Sequence, residues 1–406
     1  MDFSHCEFIT EVPDMSQFQS LRRLLFQGCH NLVKVHDSLG YLSKLVHLDV
    51  SECTNLTSFP HQINMPSLEE LNLRECKSLN YFPHIVGNMD SLTDIYVSET
   101  AIKELPPSVS FENLPSLRAL DLSNCNSLGE IPSNLFTFQN LDYLNLADMQ
   151  PLSGKSFSQL MREKLSVISC TNLKELELCG QLLDDHLHLI LKSFPNLNKL
   201  YVSRSDIESL PECIKDCANL VTLIVSDCKR LRDIPELPPE LSVIKAENCT
   251  SLTKESLDRL WSYQAVYILQ NRLRKFEKDG YKRLLRLLIS MPAAATFPDW
   301  LDHCCKGGTL SFHAREKFPV FILVVEVGKA DTSRILVVDV SISINGREIQ
   351  MSGYLSRVET TRGGNVALFD LEMIDIIRLE GGSMFDKYLE MGWNDVEIEF
   401  TSYDQP

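Results

Sequence analysis

The chain of 406 residues has no long hydrophobic run. Its longest apolar stretch, FPVFILVV from Phe318 to Val325, falls far short of the ~20 residues that a bilayer-spanning helix needs. The amino terminus, MDFSHCEFIT, lacks the basic head and apolar body of a secretory signal. Without an export signal, the 13 cysteines read as reduced thiols and not as a disulfide framework. For the same reason the sequons at Asn55 and Asn248 carry little weight. Cationic charge is in deficit: 39 Lys and Arg face 55 Asp and Glu, a net charge of −16, which excludes a general nucleic-acid binder.

Catalytic and cofactor signatures are also missing. The segment SGKS (Ser153 to Ser156) sits where a phosphate loop could form, but the glycine that such a loop requires five positions before Gly154 is Met149. In DHCC (Asp302 to Cys305) the two cysteines are adjacent and cannot readily both ligate one tetrahedral ion. The ten histidines show no metal-protease spacing, and no carboxylate pair stands apart from the rest. The expectation is a non-enzyme with no metal and no cofactor.

What is present is a repeat. LVHLDVSECTNLTSFP (Leu45 to Pro60) returns as LEELNLRECKSLNYFP (Leu68 to Pro83). The first leucine of the pattern LxxLxLxxCxxL recurs at Leu21, Leu45, Leu68, Leu92, Leu117, Leu141, Leu173, Leu197, Leu220 and Leu241. The intervals of 24, 23, 24, 25, 24, 32, 24, 23 and 21 residues match leucine-rich repeats. Cys6, Cys29, Cys53, Cys76, Cys125, Cys228 and Cys249 share the ninth position and read as period markers with a structural role. Each unit supplies a short parallel strand whose leucines are buried only when units stack. The fold class expected for residues 1–252 is therefore an α/β leucine-rich-repeat solenoid with its parallel strands on the concave face.

Side chains between the leucines point out onto that face. Asp49, Glu69, Asn72, Glu75, Tyr96, Asp121, Asp142, Tyr143, Glu177 and Tyr201 form the candidate protein-binding surface. Carboxylates interspersed with tyrosines suit a protein partner with basic and aromatic groups. Two irregularities stand out. The long interval after Leu141 adds about eight residues within Ala147–Leu165, which reads as a bulge or a rim helix. The first repeat begins at its middle, with Met1, Phe3, Cys6 and Ile9 in the fourth, sixth, ninth and twelfth positions, which suggests a fragment or a shortened form.

Residues 253–292 carry 9 basic and 4 acidic side chains, between the acidic segments 1–252 (20 and 33) and 293–406 (10 and 18). Leu257, Leu260, Trp261, Gln264 and Ile268 have helical spacing, and YKRLLRLLI (Tyr281 to Ile289) reads as a second short helix. This basic connector reads as a cap and not as a membrane-surface element. Beyond it, GTLSFHA, VFILVVEV, RILVVDVSISIN, REIQMSGYL, NVALFDL and DVEIEFTSY read as strands, with Asn345-Gly346 as a hairpin turn. Residues 293–406 are thus expected to form an all-β sandwich.

These residues resemble the leucine-rich region of plant intracellular immune receptors. The likeness is to the class that joins a Toll/interleukin-1-receptor (TIR) domain, a nucleotide-binding domain and leucine-rich repeats. FPDWLDHCCKGGTLSFHAREKFPVFILVVEV resembles the jelly-roll/Ig-like domain (C-JID) that follows the repeats in that family. The pattern falls on Pro298, Trp300, Gly307, Gly308, Ser311, Phe312, Lys317, Phe318 and Pro319, with His313 where tryptophan is more usual. The resemblance implies a cytoplasmic module that recognises a pathogen effector or a guarded host protein through both parts. It also implies upstream TIR and nucleotide-binding domains that carry the NAD-cleaving and ADP-binding activities. An intracellular scaffold docking a signalling protein such as a small GTPase is the alternative.

Overall fold

The computed structural model describes residues 1–110, 112–129, 135, 137–149, 171–180, 187–260, 288–291, 309–314, 323–327, 334–349, 355–360, 365–369 and 394–404. Two compact units divide the chain, Met1–Ile207 and Glu208–Pro406. Among the described residues no helix is long and apolar enough to cross a membrane.

In the first unit, in chain order, come β1 (Glu11–Val12), β2 (Arg23–Leu25), β3 (Lys34–Val35), β4 (His47–Asp49), β5 (Gln62–Ile63) and β6 (Glu70–Asn72). They are followed by β7 (His84–Ile85), β8 (Asp94–Tyr96), β9 (Ala119–Asp121), β10 (Tyr143–Asn145), β11 (Glu175–Glu177), helix α1 (Leu187–Ser193) and β12 (Lys199–Tyr201). β2, β4, β6, β8, β9, β10, β11 and β12 form one parallel sheet in that order, one strand per repeat. Its register stacks the fourth-position residues Leu24, Leu48, Leu71, Ile95, Leu120, Leu144, Leu176 and Leu200 in a single buried file. Fully burying each such side chain contributes about 1.5–3 kcal/mol, which only the neighbouring repeat makes available. On the opposite side the pairs β1–β3 and β5–β7 form two short parallel ladders, and Phe59 and Phe82 of the repeat tails are buried.

The strands are only three residues long because the chain turns at the eighth repeat position. His5, Gly28, Glu52, Glu75, Glu99, Asn124, Asp148, Gly180, Arg204, Asp227 and Asn248 all have positive φ there. The turn aims each N–H at the next repeat, as in Glu52 N to Arg74 O at 2.7 Å and Glu75 N to Ser98 O at 2.8 Å. Gly180 is additionally required by space, since a Cβ would lie 2.6 Å from Asp148 Oδ1.

That turn also explains the cysteine file. The sixth-position carbonyl faces the interior and accepts the backbone N–H of its own ninth residue, as Val50 O does from Cys53 at 3.4 Å. Its second donor is the thiol of the following repeat. Cys29 donates to Phe3 O at 3.0 Å, Cys53 to Phe26 O at 3.2 Å and Cys76 to Val50 O at 3.1 Å. Cys125 donates to Val97 O at 3.1 Å, and in the second unit Cys249 donates to Val225 O at 3.0 Å. Thr100, at the ninth position of its repeat, instead donates within that repeat, to Val97 O at 2.9 Å. The described cysteines are free thiols, so the structural reading of the file holds.

In the second unit β13 (Thr222–Ile224) and β14 (Val243–Lys245) are parallel repeat strands, and helix α2 (Lys254–Arg259) follows. The Thr253 hydroxyl caps α2 by accepting Ser256 N, and the Ser256 hydroxyl accepts Ile234 N at 2.9 Å, which docks the helix beneath the last repeats. The second helix expected at Tyr281–Ile289 is corrected at its end: Leu288–Met291 is strand β15, pairing parallel with β14. The open edge of β14 needs a hydrogen-bonding partner, and that long-range demand outweighs the local helical pattern.

β16 (Thr309–Ala314), β17 (Leu323–Val327), β18 (Arg334–Ile344), β19 (Arg347–Ile349), β20 (Leu355–Thr360), β21 (Asn365–Phe369) and β22 (Asn394–Asp404) complete the chain. Each of the six strand-like runs in the sequence contributes at least one of them. β21 pairs antiparallel with β15 and with β17, while β18 pairs antiparallel with β19, β20 and β22, and β22 with β16. Asn345 and Gly346, both at positive φ, make the tight turn between β18 and β19 as the sequence requires.

Burial raises the Cys53 thiol from its ordinary 9.0 to about 12, and the charges of neighbouring thiols and carboxylates act in the same direction. The neutral thiol therefore stabilises the fold fully below the unfolded value, and that contribution is lost as pH rises from 9.0 towards 12. Urea midpoints measured across this range are expected to fall with pH, and Cys53→Thr is expected to flatten the fall. An identical slope in the variant contradicts this account.

Candidate functional site

The concave face of the first unit carries the outward third and fifth positions of each repeat. Strand alternation puts both on one face, so His47, Glu70, Asp94, Glu175 and Lys199 join the fifth-position residues there. Glu69 is exposed, and Asp49, Asn72, Glu75, Tyr96, Asp142, Tyr143, Glu177 and Tyr201 are half-buried. Asp121 is a correction: at 4% exposure it lies beneath the face and not among its outward-projecting residues.

The fifth position does two jobs. Asp49, Asn72, Asp121 and Asn145 each accept the backbone N–H two residues on, at 2.9, 3.2, 3.0 and 2.9 Å. These short polar side chains close the turn that ends the strand. Tyr96, Glu177 and Tyr201 occupy the same position with longer side chains that project further onto the face.

Two clusters form on this surface. Around β6 to β9, the Arg74 guanidinium lies 3.9 Å from the centroid of the Tyr96 ring and bonds Asp121 Oδ2 at 3.3 Å. Beside it, Tyr96 Oη donates to Asp94 Oδ1 at 3.3 Å. Burial, then the charges of Asp49 and Asp94, pushes the Glu70 carboxyl up. Around β10 to β12, Tyr143 Oη donates to Glu177 Oε1 at 3.1 Å and accepts from Asn145 Nδ2 at 3.2 Å. Burial raises both Tyr143 and Glu177, and the Tyr143 hydroxyl partly offsets the shift on Glu177. Lys199 pairs with Glu175 at 2.9 Å, and burial followed by the Glu175 charge raises Tyr201.

Toward the rims, Asp142 pairs with Arg118 at 3.0 Å and Lys174 at 3.8 Å, and Lys77 bridges Glu75 and Glu99 at 3.7 and 3.3 Å. The surface therefore alternates charge and is not uniformly acidic. Sequence reading named the carboxylates but left Arg118, Lys77, Glu175 and Lys199 out of the face. The two-residue strand period was the signal that could have found the last two. Of the C-terminal pattern residues, Ser311 and Phe312 lie on β16, paired with Glu397 and Val396 of β22. Pro298, Trp300, Gly307, Gly308, Phe318 and Pro319 lie outside the described residues, as do SGKS, DHCC and most of the Ala147–Leu165 insertion.

Comparison with known proteins matches residues 64–266 to the family described as "Disease resistance protein RPS4B-like, leucine-rich repeats". TMV resistance protein N of Nicotiana glutinosa is 30% identical over 289 residues, covering 61% of this chain and 25% of that protein. Disease resistance protein RPP5 of Arabidopsis thaliana is 32% identical over 241 residues, covering 58% of this chain and 15% of that one. RPS4B of Arabidopsis thaliana is 27% identical over 253 residues, covering 62% and 18%. The chain thus spans a quarter or less of these relatives' lengths. Among solved structures, the leucine-rich repeat domain of the type III effector XopL aligns with 60% of this chain and 74% of its own, at a TM-score of 0.35 and 17% identity.

Removing a buried, fully bonded carboxylate leaves Arg74 and the Ser123 N–H without their partner. Asp121→Ala is expected to cost about 2–4 kcal/mol in urea unfolding, whereas Glu69→Ala, exposed on the same face, stays within about 0.5 kcal/mol. Equal effects at the two positions would contradict the assignment of Asp121 to the interior.

Proposed function

Because the chain belongs to the RPS4B-like leucine-rich-repeat family of disease resistance proteins, we propose that it is the recognition module of a plant intracellular immune receptor of the TIR, nucleotide-binding, leucine-rich-repeat class. The concave face of the first unit meets a pathogen effector or a guarded host protein. The observation that carries this reading is the character of that face. Over eight adjacent strands it presents half-exposed tyrosines and carboxylates set among Arg74, Arg118, Lys174 and Lys199. Tyrosine and arginine are the residues through which protein interfaces gain most of their affinity.

In this reading the module acts in the cytoplasm and is not itself an enzyme. Signalling output lies with TIR and nucleotide-binding domains of the larger receptor. The strands from β16 to β22 belong to a jelly-roll/Ig-like domain that follows the repeats and adds a second recognition surface. The position of Ser311 and Phe312 on β16 supports this.

Asp121 is unsuited to a binding test because its loss disturbs the fold, so the informative set is Glu69, Glu75 and Tyr201. In a full-length receptor carrying this chain, Glu69→Ala, Glu75→Ala and Tyr201→Ala together are expected to abolish effector-triggered cell death while receptor abundance stays normal. An intact response from the normally accumulating triple variant would sink the assignment of the concave face.

A further inference from the structure

Arg74, Tyr96 and Asp121 form a receptor and its occupant from parts of unequal burial. Tyr96 and Asp121 are register partners on β8 and β9 and are held by the sheet. Asp121 Oδ1 is consumed by the Ser123 N–H and hydroxyl at 3.0 and 2.7 Å, which leaves Oδ2 for a cation. The Asp121 side chain is 6% exposed, whereas that of Arg74 is 41% exposed and reaches in from beyond the end of β6. A buried carboxylate with one free oxygen requires a positive partner. An aromatic face alongside favours a cation that can stack, and a planar guanidinium satisfies ring and oxygen together where a compact ammonium does not.

We infer that Tyr96 and Asp121 constitute a guanidinium-accepting subsite, which Arg74 fills in the free protein and an arginine side chain of a protein partner fills in the complex. The inference rests on the reading of the concave face as the partner surface. The exchange conserves charge, so Asp121 is never left buried and unpaired. Arg74 already acts on the Glu70 carboxylate from where it lies, so after release it stays within the field of an acidic neighbour. A lysine offers the same charge without the planar match, so the subsite selects arginine.

The full chain tests this in two ways. Arg74→Ala, checked for folding by circular dichroism, empties the subsite and is expected to lower Tm by roughly 2–4 °C. Ethylguanidinium chloride should restore most of that loss, while ethylammonium chloride at equal concentration should not. The restoration should vanish in Arg74→Ala/Tyr96→Ala. Absence of selective restoration in the folded single variant overturns the subsite. The exchange is read in the unaltered chain, from the Arg74 Nε–H resonance during titration with N-acetylarginine amide. Loss of its restricted motion with that probe, but not with N-acetyllysine amide, supports displacement. A resonance unchanged by both overturns it. Neither readout uses an effector, so failure here leaves the protein-binding reading standing, and failure of effector recognition leaves the subsite standing.

Discussion

Every repeat has to satisfy one carbonyl. Where the chain leaves the strand at the sixth position, the C=O turns away from the sheet ladder into a stack of leucines that offers no water. The ninth-position N–H of the same repeat occupies one lone pair, as Cys53 N does on Val50 O, and the second lone pair is left facing the interior. The thiol of the following repeat answers it in the units that end at Phe3, Phe26, Val50, Val97 and Val225. Because the donor comes from the next unit, the bond ties repeats together and adds to the strand ladder. The left-handed turn at the eighth position brings the ninth residue under the carbonyl, and this turn limits the strands to three residues.

That constraint shapes the surface. With strands so short, the fifth-position side chain stands next to the turn it must help close. Asp49, Asn72, Asp121 and Asn145 are spent on that task. Larger residues at the same position, Tyr96, Glu177 and Tyr201, are half-buried and extend over the face. Recognition capacity therefore resides in a subset of the outward positions, chosen by side-chain length as much as by direction. Arg74 shows the coupling: its backbone N–H closes a turn on Asn72 while its guanidinium crosses Tyr96 to a buried carboxylate.

Alternating signs of charge along the face give it selectivity beyond net attraction. Asp142, Glu175, Glu75 and Glu99 already have basic neighbours. Glu70 is raised by burial and by the charges of Asp49 and Asp94, which His47 and Arg74 only partly offset. A partner therefore meets neutralised and unneutralised ground within a few strands, and matching both is a stronger demand than carrying positive charge.

The repeat period, the buried leucine file, the structural role of the cysteines and the Asn345-Gly346 hairpin were all legible in the sequence, because each follows from contacts at fixed short offsets. Tertiary structure decided the rest. Leu288 and Ile289 carry a helical pattern, yet they lie in a strand because the edge of β14 needs pairing. Asp121 reads as one more outward carboxylate, yet it is buried, and its charge partner Arg74 lies 47 residues away in sequence. Period and side-chain alternation are local properties of the chain. Edge closure, depth and charge pairing depend on which distant residues the stacking brings together, and no spacing in the sequence encodes them.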